Sequence, residues 1–259
     1  MTTGSILRWP LSVVFRPGEF VQVDPADEST DTVGTLVDTA KLTAFYFLNL
    51  LLYALPLTLA GFGRQEGASA PAAVSSGLEP FVSRPDLVWE LSSSLVVNGV
   101  YLLLATALTF LTFHVGIVLA GSSRGMARSL RAVSYSTGIY LAVMFSTLVY
   151  VSTAGLEAAE GLLLWIQASF IQFFIDFLGA DLVSPVEATR PDLAGITTLE
   201  QAVLTVLLVS AVYFLYVLYA GARTSHGATR LEAAVATGFV LVSPAVFVLG
   251  VIFMNTGLP

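Results

Sequence analysis

The sequence predicts an all-α integral membrane protein: a bundle of five transmembrane helices plus one interfacial or re-entrant helix, with the N-terminus inside and the C-terminus outside. Three observations lead there. Hydrophobic residues make up 56% of the 259 residues and charged residues only 11%, more apolar sequence than a soluble domain buries. Five apolar runs are each long enough to cross a hydrocarbon core about 30 Å thick. Two short basic segments, beginning at Ala120-Gly121 and Ala220-Gly221, each precede one of those runs, as loops on the cytoplasmic side of a membrane do.

Taken in order, the chain opens with an amphipathic stretch, Ile6 to Arg16, too short to span a bilayer. Trp9 with Arg8 and Arg16 suits a helix lying at the headgroups. An acid-rich linker follows from Glu19 to Asp38, so residues 1–41 read as a cytoplasmic N-terminal region and 42–259 as the transmembrane domain. The first 40 residues lack an uninterrupted apolar core before an A-x-A site, so no cleavable signal peptide is expected. The spans fall near 42–62, 95–119, 132–154, 200–220 and 231–254. Thr197-x-x-Glu200 and Thr229-x-x-Glu232 are capping boxes at the starts of the last two, and Ser129 takes the place of Thr229 a hundred residues earlier. Pro56 and Pro244 lie within spans, where neighbouring helices cover the freed carbonyl groups.

The landmarks Ala120-Gly121 and Thr137-Gly138 recur as Ala220-Gly221 and Thr237-Gly238, which points to an internal duplication of a helix pair. The loop at 121–132 carries Arg124, Arg128 and Arg131 with no acid; its partner at 221–232 carries Arg223, Arg230 and His226 against Glu232. With both loops cytoplasmic, an even number of crossings lies between them, and spans three and four supply two. The remaining apolar segment, Gly161 to Leu178 within a helix expected at 158–180, should then not cross once. Its Ser169, Gln172 and Asp176 share one helical face, and an ionised Asp facing lipid costs roughly 3 kcal/mol. It reads as interfacial or re-entrant on the outer side, with a tight re-entrant pair as one form of the latter. The acid-rich loops 63–94 and 155–199 fall outside.

Net charge −7 argues against nucleic acid, which needs a basic footprint. One lysine (Lys41) beside ten arginines and eighteen acids suits a halophilic prokaryote, with a GC-rich ordinary bacterium as the alternative. Cysteine is absent, so disulfides and thiolate metal sites are excluded. His114, within about two turns of the cytoplasmic end of the second span, is an intramembrane polar candidate for proton relay or ligand binding; interhelical hydrogen bonding is the plainer role. Gln172 and Asp176 are candidates for a polar path, against a water-facing stripe on an interfacial helix. Asn49 and Asn98 read as interhelical hydrogen-bonding residues. Arg124, Arg128, Arg131, Arg223 and Arg230 form a candidate cytoplasmic docking or lipid-contact surface, beside their role in orienting the loops. His226 lies in a loop and no ligand set sits at metal spacing, so neither metal nor cofactor is expected. With no G-x-S-x-G, H-E-x-x-H or phosphate loop, no catalytic residue is assigned.

Phe15-Arg16-Pro17-Gly18-Glu19-Phe20, together with His114-x-x-x-x-Leu119-Ala120-Gly121 running through Arg131 to Tyr135-Ser136-Thr137-Gly138-Ile139-Tyr140, resembles the Ypt-interacting-protein (Yip) family in its prokaryotic branch. The first looks like that branch's entry before span one; the second is similar to its glycine-rich cytoplasmic loop and the start of span three. The five-span, N-in, C-out arrangement reached from charge agrees. The acidic D-L-x-G-P element of eukaryotic relatives is missing, so their binding of prenylated GTPases is not carried over. The resemblance implies a non-enzymatic, multi-pass protein of the cell membrane that organises the bilayer or recruits partners through its cytoplasmic face. Its expected partners are membrane lipids and a protein or a second copy of itself. The alternative is a small transporter or channel subunit built from two repeated helix pairs.

Overall fold

Long apolar runs form helices because a helix satisfies its own backbone, and here most of the helices extend beyond the apolar runs themselves. The computed structural model describes residues 32–63, 69–178, 190, 192–243, 245–246 and 249–250. The amphipathic start and most of the acidic linker lie outside these residues. The helices are α1 (Thr32–Leu59), α2 (Ala72–Leu78), α3 (Pro85–Leu119), α4 (Met126–Thr153), α5 (Glu157–Leu178), α6 (Thr198–Ser225) and α7 (Arg230–Val240), with a 3₁₀ turn at Leu193–Gly195. Among the described residues helix is the only regular structure.

Ala40–Leu59 in α1, and α3, α5 and α6, are long and apolar enough to cross a membrane. A fifth such element is α4, if its halves Met126–Gly138 and Tyr140–Thr153, bent by 43°, count as one span. Many apolar side chains on α1, α3 and α6 point outward, among them Leu48, Leu55, Leu104, Val115, Leu208 and Val212, as expected of a bundle whose solvent is hydrocarbon.

Several boundaries differ from the expected ones, each for a local reason. Helix α1 starts within the stretch assigned to the linker, at Thr32. Helix α3 begins ten residues before the expected 95, because Pro85 at the first turn, with Asp86 beside it, starts a helix ahead of the apolar run. Helix α4 begins at Met126, and its N-cap is Gly125 with φ 107°, so Ser129 is not a cap. Helix α5 is continuous over its 22 residues; the tight re-entrant pair is therefore corrected to a single helix. Helix α7 is helical to Val240, and part of the expected 231–254 span lies outside the described residues.

Both capping boxes form. Thr197 N–H donates to Glu200 Oε2 at 2.8 Å and Glu200 N–H to Thr197 Oγ1 at 3.3 Å; Thr229 and Glu232 repeat this at 2.7 and 3.4 Å. The two helix pairs interlock: α3 lies mainly against α7, and α4 mainly against α6, with α1 seated on α3 and α4. At the α3–α7 crossing Gly116 lets the backbones meet, since a Cβ there would stand 2.8 Å from Ala236 Cα. One apolar cluster (Phe113, Ile117, Ala132, Val133, Leu218, Ala236) fills the end beneath the basic loops. A second (Leu50, Tyr53, Leu102, Leu141) fills the middle, and a third (Val151, Leu156, Ala159, Val203, Leu207) the far end.

Candidate functional site

The interlocked pairs bring the two basic loops together at one end of the bundle. Helix α3 ends at Leu119 and α6 at Ser225, so the loop after each turns over the same core cluster. Arg124 N–H donates to His226 Nδ1 at 3.2 Å, and Arg128 Nη1 donates to the Ser225 carbonyl at 3.1 Å. The Arg124 guanidinium lies over Gly227, whose φ of 67° and lack of a Cβ make room for it. Arg124, Arg223 and Arg230 are exposed, and Arg128 and Arg131 half-buried. Among the described residues Arg131, Arg223 and Arg230 pair with no carboxylate. All five predicted arginines thus belong to one end, and the two loops that carry them are hydrogen-bonded to each other.

Beneath this face the chain's two histidines meet on one serine. Ser129 Oγ lies 2.8 Å from His114 Nδ1 and 3.1 Å from His226 Nε2. Ser129 and His226 are buried and His114 is half-buried. The backbone fixes the direction of the chain. Because His226 Nδ1 accepts from Arg124 N–H, its neutral ring carries the proton on Nε2 and donates to Ser129 Oγ. Ser129 then donates onward to His114 Nδ1. Burial first, then the neighbouring His114, Arg128 and Arg124, push His226 down from 6.5 to about 4. The ring stays neutral at neutral pH and serves as a fixed link between loops rather than a charge.

The sequence places His226 in a loop and Ser129 at the position of a cap; the structure makes both part of this link. The spacing hides it, because the residue that joins His114 to His226 is a serine set among the loop arginines. The signal available was only that His114 precedes the first basic segment and His226 lies within the second. His114 plays the interhelical role, bonded to α4.

The other polar candidates divide. Asn49 Nδ2 donates to the Ser134 carbonyl at 2.8 Å, and Asn98 Nδ2 to Thr58 Oγ1 at 3.0 Å and the Phe62 carbonyl at 2.9 Å, so both bridge helices as expected. Gln172 donates to Asp176 Oδ1 at 2.7 Å on an exposed face of α5. The structure does not bring this pair to the histidines or the arginines. At the opposite end of the bundle Glu200 Oε1 accepts Ala158 N–H at 3.0 Å and Ala159 N–H at 3.2 Å while Oε2 caps its own helix. One carboxylate therefore holds the starts of α5 and α6 together. An open pocket of about 460 Å³ beside it is lined by Glu157, Asp192, Gly195 and Thr197. Among the described residues no three His, Cys, Asp or Glu side chains gather to hold a metal.

Comparison of the chain with protein-family models, with curated proteins and with solved structures returns no match.

Proposed function

We propose that the chain is a non-enzymatic, multi-pass membrane protein of the Yip type that works through the basic end of its bundle. There it gathers anionic partners at the cytoplasmic surface: acidic lipid headgroups and acidic segments of a partner protein. One observation carries the reading. The Arg124–His226 and Arg128–Ser225 hydrogen bonds join two separate basic loops into a single face. A charge pattern kept only for topology has no need of such a link.

Each arginine near an anionic surface contributes about 1 kcal/mol, less at high salt. Five together orient and concentrate a partner, while tight holding needs further contacts. Positive loops inside place the N-terminus in the cytoplasm and the C-terminus outside. The transporter or channel reading draws on the break of α4 at Gly138, since interrupted helices line solute sites in transporters.

The test is charge reversal at Arg223→Glu with Arg230→Glu, exposed residues outside the histidine link. Protein crosslinked in native membranes is purified, and the attached proteins and lipids are identified by mass spectrometry. The reading expects bound anionic lipid to fall and a reproducible acidic partner to be lost, with insertion unchanged. The same lipids and proteins on both forms would refute it.

A further inference from the structure

Midway along the bundle, α4 is broken where it meets α1, and the surrounding polar groups are not used up by one another. Gly138 has φ −44° and ψ −127°, outside the helical region. Asn49 and Tyr53 stand one turn apart on α1; Ser134 and Thr137 stand one turn apart on α4 just before the break. Exposure is 3% for Asn49 and 0% for Tyr53, Ser134 and Thr137. Asn49 Oδ1 reaches to 3.9 Å from the point where a Gly138 Cβ would lie. The Thr137 hydroxyl faces that of Tyr53 without meeting hydrogen-bond geometry, and donates instead to the Ser134 carbonyl at 3.1 Å. Tyr53 Oη and Ser134 Oγ are buried and have no hydrogen-bond partner among the described residues. Two unpaired buried hydroxyls close to one helix break are unusual and call for a partner.

We propose that this break holds a monovalent alkali cation, bound by Tyr53 Oη, Ser134 Oγ, Thr137 Oγ1 and Asn49 Oδ1. The donor inventory sets the class. Asn49 Nδ2 and the Thr137 hydroxyl already donate to the Ser134 carbonyl, so what remains around the break is mainly oxygen lone pairs. That favours a cation over an anion. No carboxylate belongs to the set, whereas calcium and magnesium sites rely on carboxylates; with no imidazole or thiolate it does not suit transition metals either. Side chains this buried leave no opening for an organic solute. Neutral oxygens at an interrupted helix are how transporters hold sodium at membrane depth, and Ser134 lies about 12 Å along α4 from its start at the basic end.

The experiment is thermal unfolding of the full chain in detergent, titrated with sodium, potassium or choline chloride at matched ionic strength. The unfolding midpoint of the wild type should rise and saturate with sodium or potassium but not with choline. Tyr53→Phe and Ser134→Ala should each raise the half-saturating concentration roughly tenfold, with no loss of stability in choline, where each variant only removes an unpaired hydroxyl. Three results overturn the proposal: a wild-type midpoint alike in all three salts, variants more stable in every salt, or variants less stable by the same amount in every salt. The last would mean that a water molecule fills the break. Radioactive sodium binding to the wild type gives an independent reading, expected to approach one ion per chain and to fail to saturate if the proposal is wrong.

Discussion

The buried His226 link makes stability depend on pH with a definite sign. Its folded value, about 4, lies below the ordinary 6.5, so on acidification the unfolded chain takes up the proton first. The contribution of the neutral ring is complete above 6.5, falls as pH drops below it, and is lost by about 4. Fully expressed, that gap is worth about 3 kcal/mol; because the ring lies under a solvent-facing loop that screens the two guanidinium groups, about 1.5 kcal/mol is expected. His226→Leu removes the ring, strands Arg124 N–H and takes from Ser129 Oγ the bond it accepts while leaving its bond to His114, costing about 1–3 kcal/mol at pH 7.5. The informative quantity is the difference between wild type and variant, since His114 is present in both. In thermal unfolding followed by tryptophan fluorescence, the difference should shrink by about 1.5 kcal/mol, or about 3–6 °C, from pH 7.5 to 4.5. A difference constant across that range would show that His226 is not held neutral by its surroundings, and the directional chain through Ser129 would be wrong.

Other expectations follow from particular contacts. Gly116→Leu drives a side chain into Ala236 at the α3–α7 crossing and should cost about 1–3 kcal/mol or more. Gly99→Ala, which meets nothing within 4 Å, should leave the unfolding midpoint unchanged or raise it by an amount corresponding to about 0.5–1 kcal/mol. Glu200→Ala removes the acceptor for Ala158 and Ala159 N–H; limited proteolysis should then cut between 155 and 197 faster than in the wild type, and an unchanged rate would mean that packing alone holds α5. Because the chain has no cysteine of its own, single cysteines report sidedness directly. Ser123→Cys and Thr229→Cys, at exposed positions of the two loops, should both be shielded from an impermeant thiol reagent in intact cells, and Ser75→Cys should react. Opposite behaviour of the first two would contradict the shared basic face.

What the sequence reveals and conceals here follows from the range of each interaction. Hydropathy and capping are local, so the helices and both capping boxes can be read directly from residues such as Thr197 and Glu200. Boundaries set by charge or proline rather than by apolar content, such as Pro85, lie outside the apolar run and are placed late. Charge sign along the chain places both basic loops on one side, and the structure adds that they touch. Nothing local distinguishes Ser129 from Thr229: both stand near the start of a helix after a basic loop. Helix α4 begins four residues earlier than its counterpart, at Met126 rather than Arg230, which carries Ser129 a turn inward to the histidines. Likewise Tyr135-Ser136-Thr137-Gly138 reads as one continuous span, although Gly138 breaks it. A glycine within a helix reveals a break only when the partner helix supplies something like Asn49 opposite it.

The charge rule and the contacts at the far end bear together on α5, whose length and composition alone would let it cross. Helix α4 leaves the basic end and finishes at Thr153, and Glu200 ties Ala158 and Ala159 to the start of α6. The segment 157–197 therefore begins and ends at the same end of the bundle, so it makes an even number of crossings, none or two. Two would require residues 179–197 to cross as well. That stretch holds Asp181, Glu187, Arg190 and Asp192 with prolines 185 and 191, a composition far from that of a span. Composition favours the smaller number, the interfacial reading of α5, in which its Gln172–Asp176 pair faces water. An interfacial helix predicts that Asp176→Cys reacts with an impermeant reagent added outside, to about the extent of Ser75→Cys. A crossing helix about 33 Å long carries that residue to the basic end, where it is shielded as Ser123→Cys is. Shielding at 176 with labelling at 75 would restore the crossing and require a second, polar crossing after it.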